Sequence, residues 1–176
     1  SMLVRTVDLQ RGEVLSTTPV PWPAFHQLTP LAAQQIMTQT SDGCAIGAAH
    51  GSALARYDAG GALRDTIRLI ESLASPAVER TKAGTNTRIS FVGVPTAGVV
   101  GLTSVRSHLV VAFGGSSSLR HRVLDFYDSS SRQYAGSLVS KDRIKNVAGS
   151  GEFLFVLTEN DEGFFHLEAL RLTSLP

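Results

Sequence analysis

Short apolar runs recur along the chain, each closed by a cluster of Gly, Asp, Asn or Ser. LVRTVDL (3–9) meets QRG and resumes as EVLSTTPV, and QQIMTQT (34–40) meets SDG and resumes as CAIGAAH. LVVAFGG (109–115) and RVLDFYD (122–128) flank a serine-rich loop, with YAGSLVS next. EFLFVLT (152–158) and FFHLEALRL (164–172) are split by ENDEG. Runs of this length, rich in Val, Leu, Phe and Tyr, predict β-strands joined by tight turns. Their even spacing predicts an all-β sandwich, barrel or propeller.

The stretch ALARYDAGGALRDTIRL (53–69) admits two readings. Leu63, Ile67, Ile70 and Leu73 fall near helical spacing, and Pro76 would end a helix begun at about residue 62. Alternation also fits, with Leu63, Asp65, Ile67 and Leu69 on one side, although Asp65 interrupts the apolar face. An internal repeat favours the strand. VDLQRGEVL from Val7, YDAGGALRDTIRL from Tyr57 and YDSSSRQYAGSL from Tyr127 share an apolar residue, an Asp, a polar turn and a strand. The aspartates Asp8, Asp58 and Asp128 are placed to accept turn N–H groups, and Gly12, Gly60 and Gly61 to take positive φ. A strand running into a short helix at 70–75 is a further variant of this reading. Beyond it, AVERTKAGTNTR reads as an exposed loop and ISFVGVP as an extra strand or the approach to the next repeat.

These repeats are similar to the later blades of bacterial six-bladed β-propellers of the NHL-like and TolB-like kind. The resemblance rests on TAGVVGLTSVRSHLVVAFGG, RVLDFYDSSSRQYAGSLVS and the Tyr-Asp-x-x-Gly-x-Leu hairpin of residues 57–63, and covers most of 34–172. It implies about three blades' worth of four-stranded antiparallel sheet. The chain then divides within one domain into N-terminal strands and a Pro-rich connection (1–33), a blade plus long loop (34–97), a blade (98–140) and a partial blade (141–176). That is about half a six-bladed ring, and fewer than the four blades closure usually needs. An unclosed arc exposes strand edges, so closure by a second copy, or by blades of a longer parent chain, is expected. A β-sandwich is the alternative architecture. The resemblance also slightly favours an exported or periplasmic location.

Composition narrows the function classes. Sixteen basic and fifteen acidic residues leave a net charge of +1, which gives no electrostatic footprint for nucleic acid. No run approaches the roughly 18 apolar residues of a membrane helix, and the N-terminus turns polar too soon for a signal peptide. Ser1 before Met2 reads as a remnant of tag removal, and the chain as part of a longer protein. The single cysteine, Cys44, excludes an intrachain disulfide and reads as a buried structural thiol.

Motifs of chemistry are sparse. FGGSSS (113–118) joins two strands and opens no helix, so it reads as a hairpin loop and not a phosphate cradle. VAGSGEF misses the nucleophile-elbow spacing around Ser150. The five histidines, His26, His50, His108, His121 and His166, show no metal-ligand spacing, and the acids of ENDEG read as a solvated turn. Trp22 and Phe25 read as packing a rigid connection onto the core. Propeller geometry would gather the loops between second and third strands, with the inter-blade connections, on one face. The expected binding residues are therefore His50, Arg80, Arg88, Arg120, His121 and Asp161, with Arg120, His121 and Arg122 forming a small anion- or protein-binding patch. The expected function is a non-catalytic binding or scaffold module for a protein, peptide or glycan, with no catalytic residue, metal or cofactor. The alternative is a hydrolase or lyase with a metal on the ring axis, which the candidate first strands supply with almost no ligands.

Overall fold

The computed structural model describes residues 3–8, 10–19, 35–74, 76–115 and 118–173. The expected roles of Trp22, Phe25 and His26 lie outside the described residues. Among the described residues there is no helix, and the strands form five antiparallel sheets. An N-terminal hairpin pairs β1 (Leu3–Asp8) with β2 (Glu13–Pro19). A first four-stranded meander follows: β3 (Gln35–Thr40), β4 (Gly43–Ala48), β5 (Ala53–Asp58) and β6 (Leu63–Arg68). A second hairpin, β7 (Val78–Ala83) with β8 (Asn86–Phe91), leads to the next meander. That meander is β9 (Val99–Val105), β10 (His108–Phe113), β11 (Val123–Asp128) and β12 (Tyr134–Val139). The last sheet has three strands, β13 (Arg143–Ser150), β14 (Phe153–Glu159) and β15 (Phe165–Arg171).

The meanders are propeller-type blades stacked face to face. The first strands of successive blades, β3, β9 and β13, lie against one another as the innermost strands of an arc. One apolar layer joins the first blade to the second through Leu54, Ile67 and Leu69 against Leu109, Val111 and Phe113. The next joins the second blade to the third through Val110, Ala112, Leu124 and Phe126 against Ile144, Val147, Leu154 and Val156. Blade two is therefore covered on both faces, which is why β10 reads HLVVAF, apolar almost throughout and without alternation.

The repeat is visible down to its irregularities. All three β1-type hairpins slip register at the same step: Thr6/Val7, Arg56/Tyr57 and Phe126/Tyr127. Such a bulge sharpens the local twist and re-aims the following side chains. Asp58 Oδ1 accepts the Ala62 N–H, and Asp128 Oδ1 accepts those of Ser130 and Ser131, as the strand-end aspartates predict. Gly12 and Gly61 take positive φ in these turns; Gly60 does not, and Arg132 adopts φ 64° where the third copy has no glycine.

Residues 63–68 are a strand, and 69–74 contain no helix. The interrupting Asp65 is explained by its cross-strand neighbour. It sits opposite Arg56 in the ladder and is gripped by both guanidinium arms, Nε at 2.7 Å and Nη2 at 2.6 Å. The segment expected as an exposed loop at 77–88 is instead most of the β7–β8 hairpin, and the expected extra strand is its second half.

Blade three leaves one sheet face open. Leu154, Val156 and Thr158 point into the interface with blade two. The opposite face of β14 and β15 carries Phe153, Phe155, Leu157, Phe165, Leu167 and Ala169, paired across the ladder as Phe155 with Ala169 and Leu157 with Leu167. Phe165 and Leu167 are 60% and 69% exposed. β15 is also an edge strand, in a sheet one strand short of its neighbours.

Candidate functional site

The turns at the two ends of the blades differ in kind. At one end are the short β3–β4, β5–β6, β9–β10, β11–β12 and β13–β14 turns. At the other end are the β4–β5, β10–β11 and β14–β15 loops together with the inter-blade connections. Backbone hydrogen bonds tie this second end together. Gly98 N–H donates to Ala49 O, joining blade two to blade one, and Gly114 N–H donates to Gly98 O within blade two. Ser140 N–H donates to Arg122 O within blade two, and Ile144 N–H donates to His121 O, joining blade three to blade two. These contacts demand glycine: a Cβ on Gly98 would collide with the Gly51 carbonyl oxygen, and one on Gly114 with that of Ala97.

On this end the β10–β11 loop and the start of β13 enclose an open cavity of about 420 Å³, lined by Ser118, Arg120, His121, Arg122 and Arg143. His121 holds φ 59°, a conformation costly for a side chain with a Cβ. Its backbone explains why it stays there, since its N–H is held by Gly114 O and its carbonyl by Ile144 N–H. Burial pushes the His121 pKa down, and the positive charges of Arg120, Arg143 and Lys145 push it further in the same direction. Arg122 lies 3.6 Å from Asp161 of the β14–β15 turn, a loose pair whose carboxylate is 79% exposed. Lys145 is committed to Glu159 at 2.7 Å. Among the described residues neither Arg120 nor Arg143 forms an ion pair.

The remaining expected residues are distributed on the same end and around it. His50, in the β4–β5 turn, is tied through Nδ1 to Thr96 O at 3.0 Å and packs edge-on against Phe91, ring centroids 5.2 Å apart. That contact anchors the base of the β7–β8 hairpin to blade one. Arg80 and Arg88 are both exposed on the hairpin but do not converge. Arg80 pairs with Ile89 and Arg88 with Thr81, so their side chains leave opposite faces of the ribbon. The structure brings Arg120, His121 and Asp161 into one neighbourhood, and leaves His50, Arg80 and Arg88 outside the cavity lining. Sequence reading missed Arg143, which joins the cavity only because β13 starts against the β10–β11 loop.

Other cavities lie elsewhere on the arc. One of about 150 Å³ is lined by Phe113, Leu119, Val123 and the carboxyl-bearing residues Glu71 and Asp125. Asp125 is buried, accepts a hydrogen bond from Ser137 Oγ, and has its pKa raised by burial, with the Glu71 charge adding to the effect. Another of about 560 Å³ runs between the β1–β2 hairpin and blade one, past Met37, Asp42, Cys44 and Asp58. Cys44 is partly buried and its thiol pKa is raised by desolvation, the opposite of an activated nucleophile. Among the described residues no three His, Cys, Asp or Glu side chains are grouped as metal ligands, and no helix is long and apolar enough to cross a membrane.

No family model matches this chain, and no curated protein matches it either. Solved structures that resemble it include hydrazine synthase of Kuenenia stuttgartiensis, at 14% identity and TM-score 0.43, over 86% of this chain and 49% of that one. BBS1N, solved in complex with ARL6DN, matches at 14% identity and TM-score 0.45, over 93% and 43%. A chain of the mitotic checkpoint complex matches at 11% identity and TM-score 0.43, over 99% and 58%. The chain thus spans roughly half the length of each of these. At these scores the likenesses add nothing to the fold described above and carry no function across.

Proposed function

We propose that this chain is a non-catalytic binding or scaffold module, about half of a six-bladed propeller of the NHL-like or TolB-like kind. It works as an assembled ring closed by a second copy. The observation that carries this reading is the open apolar face of blade three. A row of Phe153, Phe155, Leu157, Phe165 and Leu167 beside an unpaired strand edge is a surface that a blade covers in the interior of the arc. The N-terminal β1–β2 hairpin, which shares the turn and bulge of the last two strands of a blade, lies at the other end and could supply the one strand that blade three lacks. Two copies related by a two-fold axis would bring each hairpin to the other's three-stranded blade. Self-complementary pairing of this kind is the commonest way oligomers close.

Tyr127 Oη accepts the Ile70 N–H from the preceding blade at 3.1 Å. Tyr57, its counterpart one blade earlier, is 1% exposed and its hydroxyl has no partner among the described residues. The partner-binding face of the assembled ring is the loop end, with Arg120, His121 and Asp161 at its centre and His50, Arg80 and Arg88 at its margin. The ligand is a protein, peptide or glycan.

Sedimentation velocity on the wild type and on Leu167→Asp tests the closure. The wild type is expected to sediment as a dimer of the 18.7 kDa chain. The variant, which places a charge on the apolar face, is expected to shift to monomer by at least tenfold in dissociation constant. A wild type that is monomeric, soluble and well folded overturns the reading.

A further inference from the structure

The basic cavity between blades two and three has a charge balance that identifies its ligand. Arg120, Arg122 and Arg143 all line one opening, together with Ser118 and His121. Against them stands one carboxylate, Asp161, 3.6 Å from Arg122 and mostly solvated. Lys145 is already neutralised by Glu159. Asp142, although next to Arg143 in sequence, does not line the cavity, and neither does Glu162 of the β14–β15 turn. Three cationic groups less one anionic group leave two positive charges on a chain whose overall net charge is +1. Like charges lining one opening repel, and an anion filling the space relieves that repulsion.

We propose that this cavity is a binding site for a phosphomonoester dianion. A group of two negative charges neutralises the excess, and a tetrahedral set of oxygens is matched by planar guanidinium forks that donate in pairs. A single carboxylate would leave one guanidinium charge unanswered. The end of the β10–β11 loop delivers Ser118, Arg120 and His121 to the lining. His121 acts as the reporter and the adjustable donor of the site. A dianion against it would favour the imidazolium, so binding is accompanied by proton uptake. The groups that face it are Arg120 and Arg122 from its own loop, Arg143 and Lys145 from β13, and Asp161, which pairs with Arg122, from the β14–β15 turn. The proposal deepens, and rests on, the reading of the loop end as a binding face, and it is independent of ring closure.

The test is a titration of the His121 imidazole resonances at pH 7.5 and constant ionic strength with inorganic phosphate, then sulfate, then acetate. Phosphate and sulfate are expected to move the signal saturably in the millimolar range, and acetate at least tenfold more weakly. Arg143→Gln and Arg120→Gln, both at exposed positions, are expected to weaken phosphate at least fivefold each while leaving amide resonances far from the loop unchanged. A phosphoserine peptide and glucose 6-phosphate then separate the two sources of such a dianion. Tighter binding of the peptide assigns the site to a phosphorylated protein partner, and tighter binding of the sugar phosphate assigns it to a small metabolite. Shifts that never saturate, or that are equal for acetate and phosphate, overturn the proposal. So do shifts unchanged by both substitutions. A monomer that binds phosphate would overturn ring closure and leave this site standing; a dimer that does not would do the reverse.

Discussion

The residue that most rewards attention is Arg56. It sits on the face of blade one that meets blade two, is only 8% exposed, and holds Asp65 through two arms while a third nitrogen donates to Ser129 O of the next blade. One guanidinium therefore fixes the β5–β6 register and ties two blades together. The Asp65 carboxyl is held below its usual range chiefly by the hydrogen bonds from Arg56, with burial opposing and the charge of Arg56 assisting. A depressed folded-state value means that the native state resists protonation. The pair's contribution is present at neutral pH and is lost as pH falls from the ordinary carboxylate range through the lowered value. Arg56→Ala leaves a half-buried carboxylate without its partner and is expected to cost about 3 kcal/mol at pH 7. The loss should shrink at pH 3, where Asp65 can be protonated; denaturant unfolding at the two pH values measures it. An equal loss at both would mean that packing, and not the ion pair, carries the effect.

At the scale of elements, strands carrying an apolar run were legible in the sequence, even where, as at β15, the structure leaves them exposed; strands without one were not. β4, β5, β10 and β11 announce themselves by apolar runs, because each packs against a neighbouring blade. The β7–β8 hairpin did not, because its residues Glu79, Arg80, Thr81, Lys82, Thr87 and Arg88 are all exposed and leave no alternation to detect. Asp65 misled the pattern at β6 only until its partner, nine residues earlier, was known. The basic cavity was half visible: Arg120, His121 and Arg122 are adjacent in sequence, whereas Arg143 arrives through a strand pairing that no local motif signals. Close backbone approach sets another constraint at this scale. Gly98 N–H and carbonyl bond the ends of two blades at 2.6 Å each. Gly98→Ala is expected to lower stability by about 2–3 kcal/mol through overpacking, without altering isolated-strand propensity. Thermal unfolding of this variant checks it; an unchanged midpoint would mean that the blade ends are free to separate.

For the molecule as a whole, the two ends of the arc differ from its interior. Interior blade faces are covered and apolar, while the face of blade three exposes side chains of the same kind, including Phe165 and Leu167. An exposed apolar sheet face with a free edge is an assembly surface or an aggregation hazard, and closure by a second copy, as proposed, would make it the former. Ring closure would also set the loop ends of two copies on one face, with a basic cavity in each half, so a ligand bearing two phosphates would gain from binding both. The most direct measurement is amide hydrogen exchange along β15 at two protein concentrations well above and below the dimer dissociation constant. The alternate β15 amides that do not pair with β14 are expected to exchange slowly in the concentrated sample and to lose that protection on dilution, as a strand from the second copy leaves. Rapid exchange of those amides at every concentration, in a protein whose β10 amides remain protected, would contradict the account.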